Sequence, residues 1–237
     1  MSTYVLVHGA WHGAWCWFKV IPLLERSGNR VVAPDLPSHG VDRTPTGSVD
    51  LQAYVDRVCE VLDACHEPVI LVGHSMGGVV ISQAAEARPD KVAKLVYLSA
   101  FLLADGQTLL DVAQADERAT VLPNLVFSDD RRSATVRDAA IVETFYADCD
   151  EADVALARSL LVPQPAAPLS TPLHTSAANW GRVPRVYIEC VHDRAISIDT
   201  QRMMYGRLRC EQFHTLPSGH SPFLSMADRL ADHLLNP

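Results

Sequence analysis

Val69-Ile70-Leu71-Val72-Gly73-His74-Ser75-Met76-Gly77-Gly78 is the stretch from which the rest of the chain can be read. Four aliphatic residues read as a buried strand, and Met76–Ala87, small and apolar nearly all round, reads as a helix packed on a sheet. Between them stands G-x-S-x-G in the strand–turn–helix setting in which the motif presents a nucleophile. A serine on so sharp a turn needs backbone torsions that a β-carbon penalises, and neighbours small enough for the chains to approach; Gly73 and Gly77 supply that room. The turn also aims the free N–H groups and positive dipole end of the helix at the reacting centre. Ser75 is the candidate nucleophile.

Working outward, further strand-like runs are Tyr4–Val7, Arg30–Ala33, Lys94–Leu98, Arg185–Glu189 and Gln212–Leu216. Their continuous apolarity is what strands covered on both faces require. Leu51, Tyr54, Val55, Val58, Val61 and Leu62 place one apolar stripe along a helix over Leu51–Cys65. Ser221-Pro222 reads as N-cap and first residue of a final helix running to Leu235. The alternation predicts an α/β architecture of about six mostly parallel strands flanked by helices. Residues 102–180 interrupt it: no convincing core strand occurs there, and the segment is too long for a plain loop. It is expected to be an inserted helical cap over the C-terminal edge of the sheet. Residues 1–101 and 181–237 then form the core, and the whole is one structural domain.

A serine hydroxyl needs a base within reach, and the base needs a carboxylate to fix its tautomer. Ten histidines compete for the first role. His220 follows the last strand-like run, in Pro217-Ser218-Gly219-His220, which puts it at the same sheet edge as Ser75. The run Arg185–Glu189 leads to Asp193, the expected carboxylate; its rival, Asp199, reads as the start of a helix over Asp199–Arg207. For the oxyanion, the expected donors are the backbone N–H groups of Met76 and Ala10, the latter freed to turn inward by Gly9. Gly9, Trp11, His74 and Ala195, neighbours of these residues, are the expected pocket residues. No cofactor or metal is called for. Asp129-Asp130-Arg131-Arg132 reads as a solvated turn, and the acidic run Asp148–Asp153 lacks the glycine and terminal glutamate of a calcium loop.

Composition narrows the partners. The 237 residues carry a net charge of −8 with no cationic stripe, which argues against nucleic acid. No eighteen-residue apolar run occurs, so no membrane span is expected. Six cysteines without a CxxC pair, behind an N-terminus with no basic leader, read as free thiols in a cytoplasmic protein.

The pieces Val7–Trp15, Pro34-Asp35-Leu36-Pro37-Ser38-His39-Gly40 and Gly73–Gly78 resemble the α/β-hydrolase superfamily, in the branch of plant-type methyl-ester esterases and hydroxynitrile lyases. Tyr187-Ile188 leading to Asp193, and Gly219-His220, extend the similarity toward the C-terminus. The chain order Ser75, Asp193, His220 is that of these hydrolases. The resemblance implies an α/β-hydrolase fold and a cofactor-free triad enzyme acting on small, largely apolar carbonyl compounds, often as a homodimer. Plant-type lyases of this branch carry a threonine after the first-strand histidine and a lysine directly after the catalytic histidine; here those positions are Gly9 and Ser221. Without that cation a departing cyanide has no electrostatic partner, whereas ester hydrolysis needs no charge there. The expectation is a carboxylesterase-type serine hydrolase working through an acyl-enzyme on Ser75. The alternatives are a carbon–carbon lyase using the same triad and a hydrolase fold that binds without turnover.

Overall fold

The computed structural model describes residues 1–237. Six parallel strands build the main sheet: β1 (Thr3–Val7), β2 (Arg30–Val32), β3 (Val69–His74), β4 (Val92–Leu98), β8 (Arg185–Cys190) and β9 (Gln212–Leu216). Their spatial order is β2-β1-β3-β4-β8-β9, every neighbouring pair parallel. Strands β3 and β4 therefore lie in the middle, where Leu71, Val72, Leu95 and Val96 are completely buried.

The helix Leu51–Asp63 follows from its sequence at both ends and along its face. The Asp50 carboxylate accepts from the Ala53 N–H at 2.9 Å as N-cap, and the periodic residues Tyr54, Val55, Val58 and Leu62 are buried. The helix Gly77–Ala87 lies against the centre of the sheet with eight of its eleven residues buried. Its close approach depends on glycine. A β-carbon on Gly73 would lie 2.6 Å from the Gly77 carbonyl oxygen, and one on Gly77 would lie 2.8 Å from that of Val7.

Two local expectations need correction. Residues 102–180 are not wholly helical. Beside the helices Leu109–Ala115, Asp138–Phe145 and Glu151–Leu160 they hold an antiparallel sheet of β5 (Leu125–Phe127), β6 (Ser133–Val136) and β7 (Gln164–Pro165). Strands of two to four residues are too short for a period of two to register in the sequence. The C-terminal helix is also broken. Ser221 has φ −119° and ψ 59°, caps nothing with its side chain, and begins only the single turn Pro222–Ser225. The chain leaves helical geometry at Met226 (φ −140°), and the long helix starts at Ala227.

All six cysteines are free, with Cys16, Cys59, Cys65 and Cys190 buried.

Candidate active site

Strand β3 ends in a turn that forces Ser75 to φ +54°, in the left-handed region that a side chain rarely adopts. The strain is held from both sides: the Ser75 N–H donates to the Leu98 carbonyl at 3.3 Å, and the Phe101 N–H donates to the Ser75 carbonyl at 3.0 Å. The central strand pair therefore fixes the serine backbone.

Asp193 follows β8 and is buried. Its Oδ1 accepts from the N–H groups of Ala195 (2.6 Å) and Ile196 (3.0 Å). Its Oδ2 accepts from His220 Nδ1–H at 2.7 Å and from the Ser99 hydroxyl. His220, after β9, is 2% exposed, and its carbonyl accepts from His74 Nε2–H at 2.8 Å. Asp193 and His220 thus form a hydrogen-bonded pair, and the His74 ring packs 4.5 Å from that of His220. The Ser75 side chain forms no hydrogen bond to His220 here and lines the adjoining cavity instead; such contacts are often loose before substrate arrives. Asp199 lies elsewhere, exposed and paired with Arg118.

The N–H groups of Ala10 and Met76 donate to no protein acceptor. Around Ala10 the loop is pinned by two imidazoles that the sequence reading left without a role. The Leu36 N–H donates to His8 Nε2 at 3.1 Å, so the His8 proton sits on Nδ1, which donates to the Gly9 carbonyl at 2.8 Å. That carbonyl belongs to the peptide carrying the Ala10 N–H. His12 repeats the device one residue on: Nδ1–H donates to the Ala10 carbonyl at 2.7 Å, and Nε2 accepts from the Tyr146 hydroxyl at 2.7 Å. Burial holds the His8 and His74 imidazoles well below their usual range and pushes that of His12 down to about 3, with neighbouring histidines adding to the effect. All three are neutral spacers.

Above Ser75 lies a cavity, and fifteen of its sixteen lining residues are hydrophobic. Ser75 is the exception, so no charge faces a ligand there. Trp11 and Ala195 line the cavity, joined by Phe145, Leu109 and Leu122 from the 102–180 segment. Gly9 and His74 do not. Gly9 packs under the serine, where a β-carbon would come within 2.8 Å of Ser75 Cβ, and His74 turns away toward the His220 backbone. Ser99 escaped the sequence reading because nothing local marks it; its contact with Asp193 spans 94 residues.

Residues 4–233 match the model of the alpha/beta hydrolase family. A putative chloroplastic methylesterase 15 of Arabidopsis thaliana is 36% identical over 97% of this chain, which spans 55% of that relative's length. The pyrethroid hydrolase of Sphingobium wenxiniae is 33% identical over 98% of the chain and 86% of its own. The crystal structure of the methylesterase MES16 from Arabidopsis superposes with a TM-score of 0.88 at 27% identity, covering 100% of this chain and 98% of that one.

Proposed function

The chain belongs to the alpha/beta hydrolase family, and from that footing we propose that it is a serine carboxylic-ester hydrolase for small, largely apolar esters. The observation that carries this reading is the buried Asp193–His220 pair beside a strained Ser75, opening into a cavity whose single polar side chain is that serine. Ser75 Oγ attacks the ester carbonyl and gives its proton to His220 Nε2. Asp193 holds the Nδ1–H and stabilises the imidazolium that forms. The carbonyl oxygen, now negative, is met by the Ala10 and Met76 N–H groups; losing one such donor typically costs about 10²–10³ in turnover. His220 then protonates the departing alcohol. A water that gives a proton to the same nitrogen releases the acid from Ser75.

Residues 102–180 serve as the cap that supplies the apolar walls, and apolar contact rather than charge selects the substrate. The absence of any cation in the cavity weighs for hydrolysis over cyanohydrin cleavage. The test is Ser75→Ala. Turnover of p-nitrophenyl acetate should fall by about 10⁴-fold or more, with the circular dichroism spectrum unchanged, and an organophosphonate should label the parent protein at Ser75 but not the variant. Retained turnover in Ser75→Ala removes the proposed nucleophile.

A further inference from the structure

Two spaces meet at one pair of rings. Trp11 and Phe145 line the cavity above Ser75, and both also line a second, more open groove walled by Val136, Ile141, Leu161 and Val162. Their ring centroids are 5.6 Å apart. Trp11 is 8% exposed and Phe145 2%, so the pair is packed rather than loose. The indole is further held: its Nε1–H donates to the Ala134 carbonyl at 2.8 Å, and the Val162 N–H donates to the Trp11 carbonyl at 3.0 Å. The Trp11 backbone sits at φ +63°, a conformation a bulky residue keeps only where its surroundings over-determine it.

We infer that Trp11 and Phe145 form the specificity-determining wall on the leaving-group side of the ester, restricting the alcohol arm to one or two carbons. The inference rests on the esterase reading above. A departing alkoxide oxygen must take its proton from His220, so the alcohol arm lies on the His220 side of the scissile carbon. The Phe145 ring stands 5.7 Å from the His220 ring, and Trp11 directly follows Ala10 in the chain. A bulky alcohol would therefore collide with these two rings. The acyl arm is left the rest of the cavity, whose lining includes Leu109, Leu122 and Leu169. Cutting the wall back joins the cavity to the groove, whose lining is mainly apolar, with Thr135 and Arg158 as its polar members, and which can take an aryl group.

The experiment compares methyl and benzyl esters of one short aliphatic acid, using the parent protein, Trp11→Gly, Phe145→Ala and Trp11→Phe. Glycine accepts φ +63° without strain, and phenylalanine keeps a ring at that position. The parent should favour the methyl ester. Trp11→Gly and Phe145→Ala should each raise the benzyl-to-methyl ratio of kcat/KM by about tenfold or more, the scale on which apolar pockets discriminate, while Trp11→Phe stays within about threefold of the parent. A role confined to folding would lower both esters together and leave the ratio alone. The wall is overturned if the parent cleaves both esters equally well, a result that needs no variant to fold. It is also overturned if the parent is selective but the ratio stays fixed in both truncations; in either case the esterase reading stands. A parent protein that cleaves neither ester, nor p-nitrophenyl acetate, removes the esterase reading and the wall with it.

Discussion

At the scale of single residues, the loop after β1 shows how a neutral histidine can serve a reaction it never touches. The C=O and N–H of a trans peptide point in opposite directions, so holding the Gly9 carbonyl on His8 Nδ1 directs the Ala10 N–H the other way. His8→Leu should therefore lower kcat for p-nitrophenyl acetate by about 10- to 100-fold, a part of what a whole lost donor costs. KM should change by less than about threefold, because the cavity walls that bind the ground state are untouched. A raised KM with kcat preserved would show that the peptide is held by other means. The residues meant to handle protons were easier to read than those that hold them. Ser75 announces itself through two glycines, Asp193 follows a strand whose apolar run is plain, and His220 stands in the Pro217-Ser218-Gly219 loop after the last strand. His8, His12 and Ser99 act through carbonyls and carboxylates brought near by the fold, and no local pattern encodes that. Placing Gly9 and His74 in the pocket went wrong because nearness in sequence to Ser75 says nothing about which way a side chain turns.

Among secondary elements, the two-residue strand β7 carries weight out of proportion to its length. Gln164 is completely buried there. Its Oε1 accepts from the Trp11 N–H at 3.4 Å and lies 3.0 Å from His39 Nε2, and its Nε2–H donates to the Tyr54 hydroxyl at 3.1 Å. One amide thus ties the 102–180 segment to the first-strand loop and to the helix Leu51–Asp63. Gln164→Ala leaves buried polar atoms without partners and should cost about 2–3 kcal/mol of unfolding free energy, measured by urea denaturation. Limited proteolysis within 102–180 should quicken in step; an unchanged midpoint and cleavage rate would sink the latch. The four inner strands were legible because burial on both faces writes an apolar run, whereas the edge strands Arg30–Val32 and Gln212–Leu216 are largely exposed or half-buried and were placed by their position in the strand–helix alternation. Strands β5 to β7 were not, since their hydrogen bonds join short polar-apolar mixtures whose pairing is decided by contact with the core. The break at Met226 was hidden for a related reason: Ser-Pro is a sound helix start, and nothing after it marks a second start five residues on.

Taken as a whole, the molecule carries its acid sensitivity in its interior. Burial lowers the imidazoles of His8, His12, His39 and His74 below the ordinary range, so all four favour the neutral form when folded. Above a pH of about 6.5 the unfolded chain's histidines are neutral too, and no difference arises. Below it the unfolded state takes up protons that the folded state refuses, so stability drains away as pH falls. Each such histidine adds up to about 1.4 kcal/mol per pH unit to the slope. The carboxylates with lowered values, Glu189 among them, begin to matter only below about 4.5. Urea midpoints should therefore drop between pH 7 and pH 5, ahead of any carboxylate titration; equal midpoints would mean that these rings are not desolvated as described.

The unpaired cysteines give this interior a set of built-in timers. Desolvation pushes the thiols of Cys149 and Cys210 up to about 12 and raises those of Cys16 and Cys190 as well, which suppresses the thiolate that alkylating reagents attack. A maleimide reaching Cys149 reports fluctuation of the 102–180 segment, at Cys190 loosening beside Asp193, and at Cys16 fraying of the segment behind the first-strand loop. Modification rates resolved by mass spectrometry would rank those neighbourhoods by how often each one breathes, without a single residue having been changed.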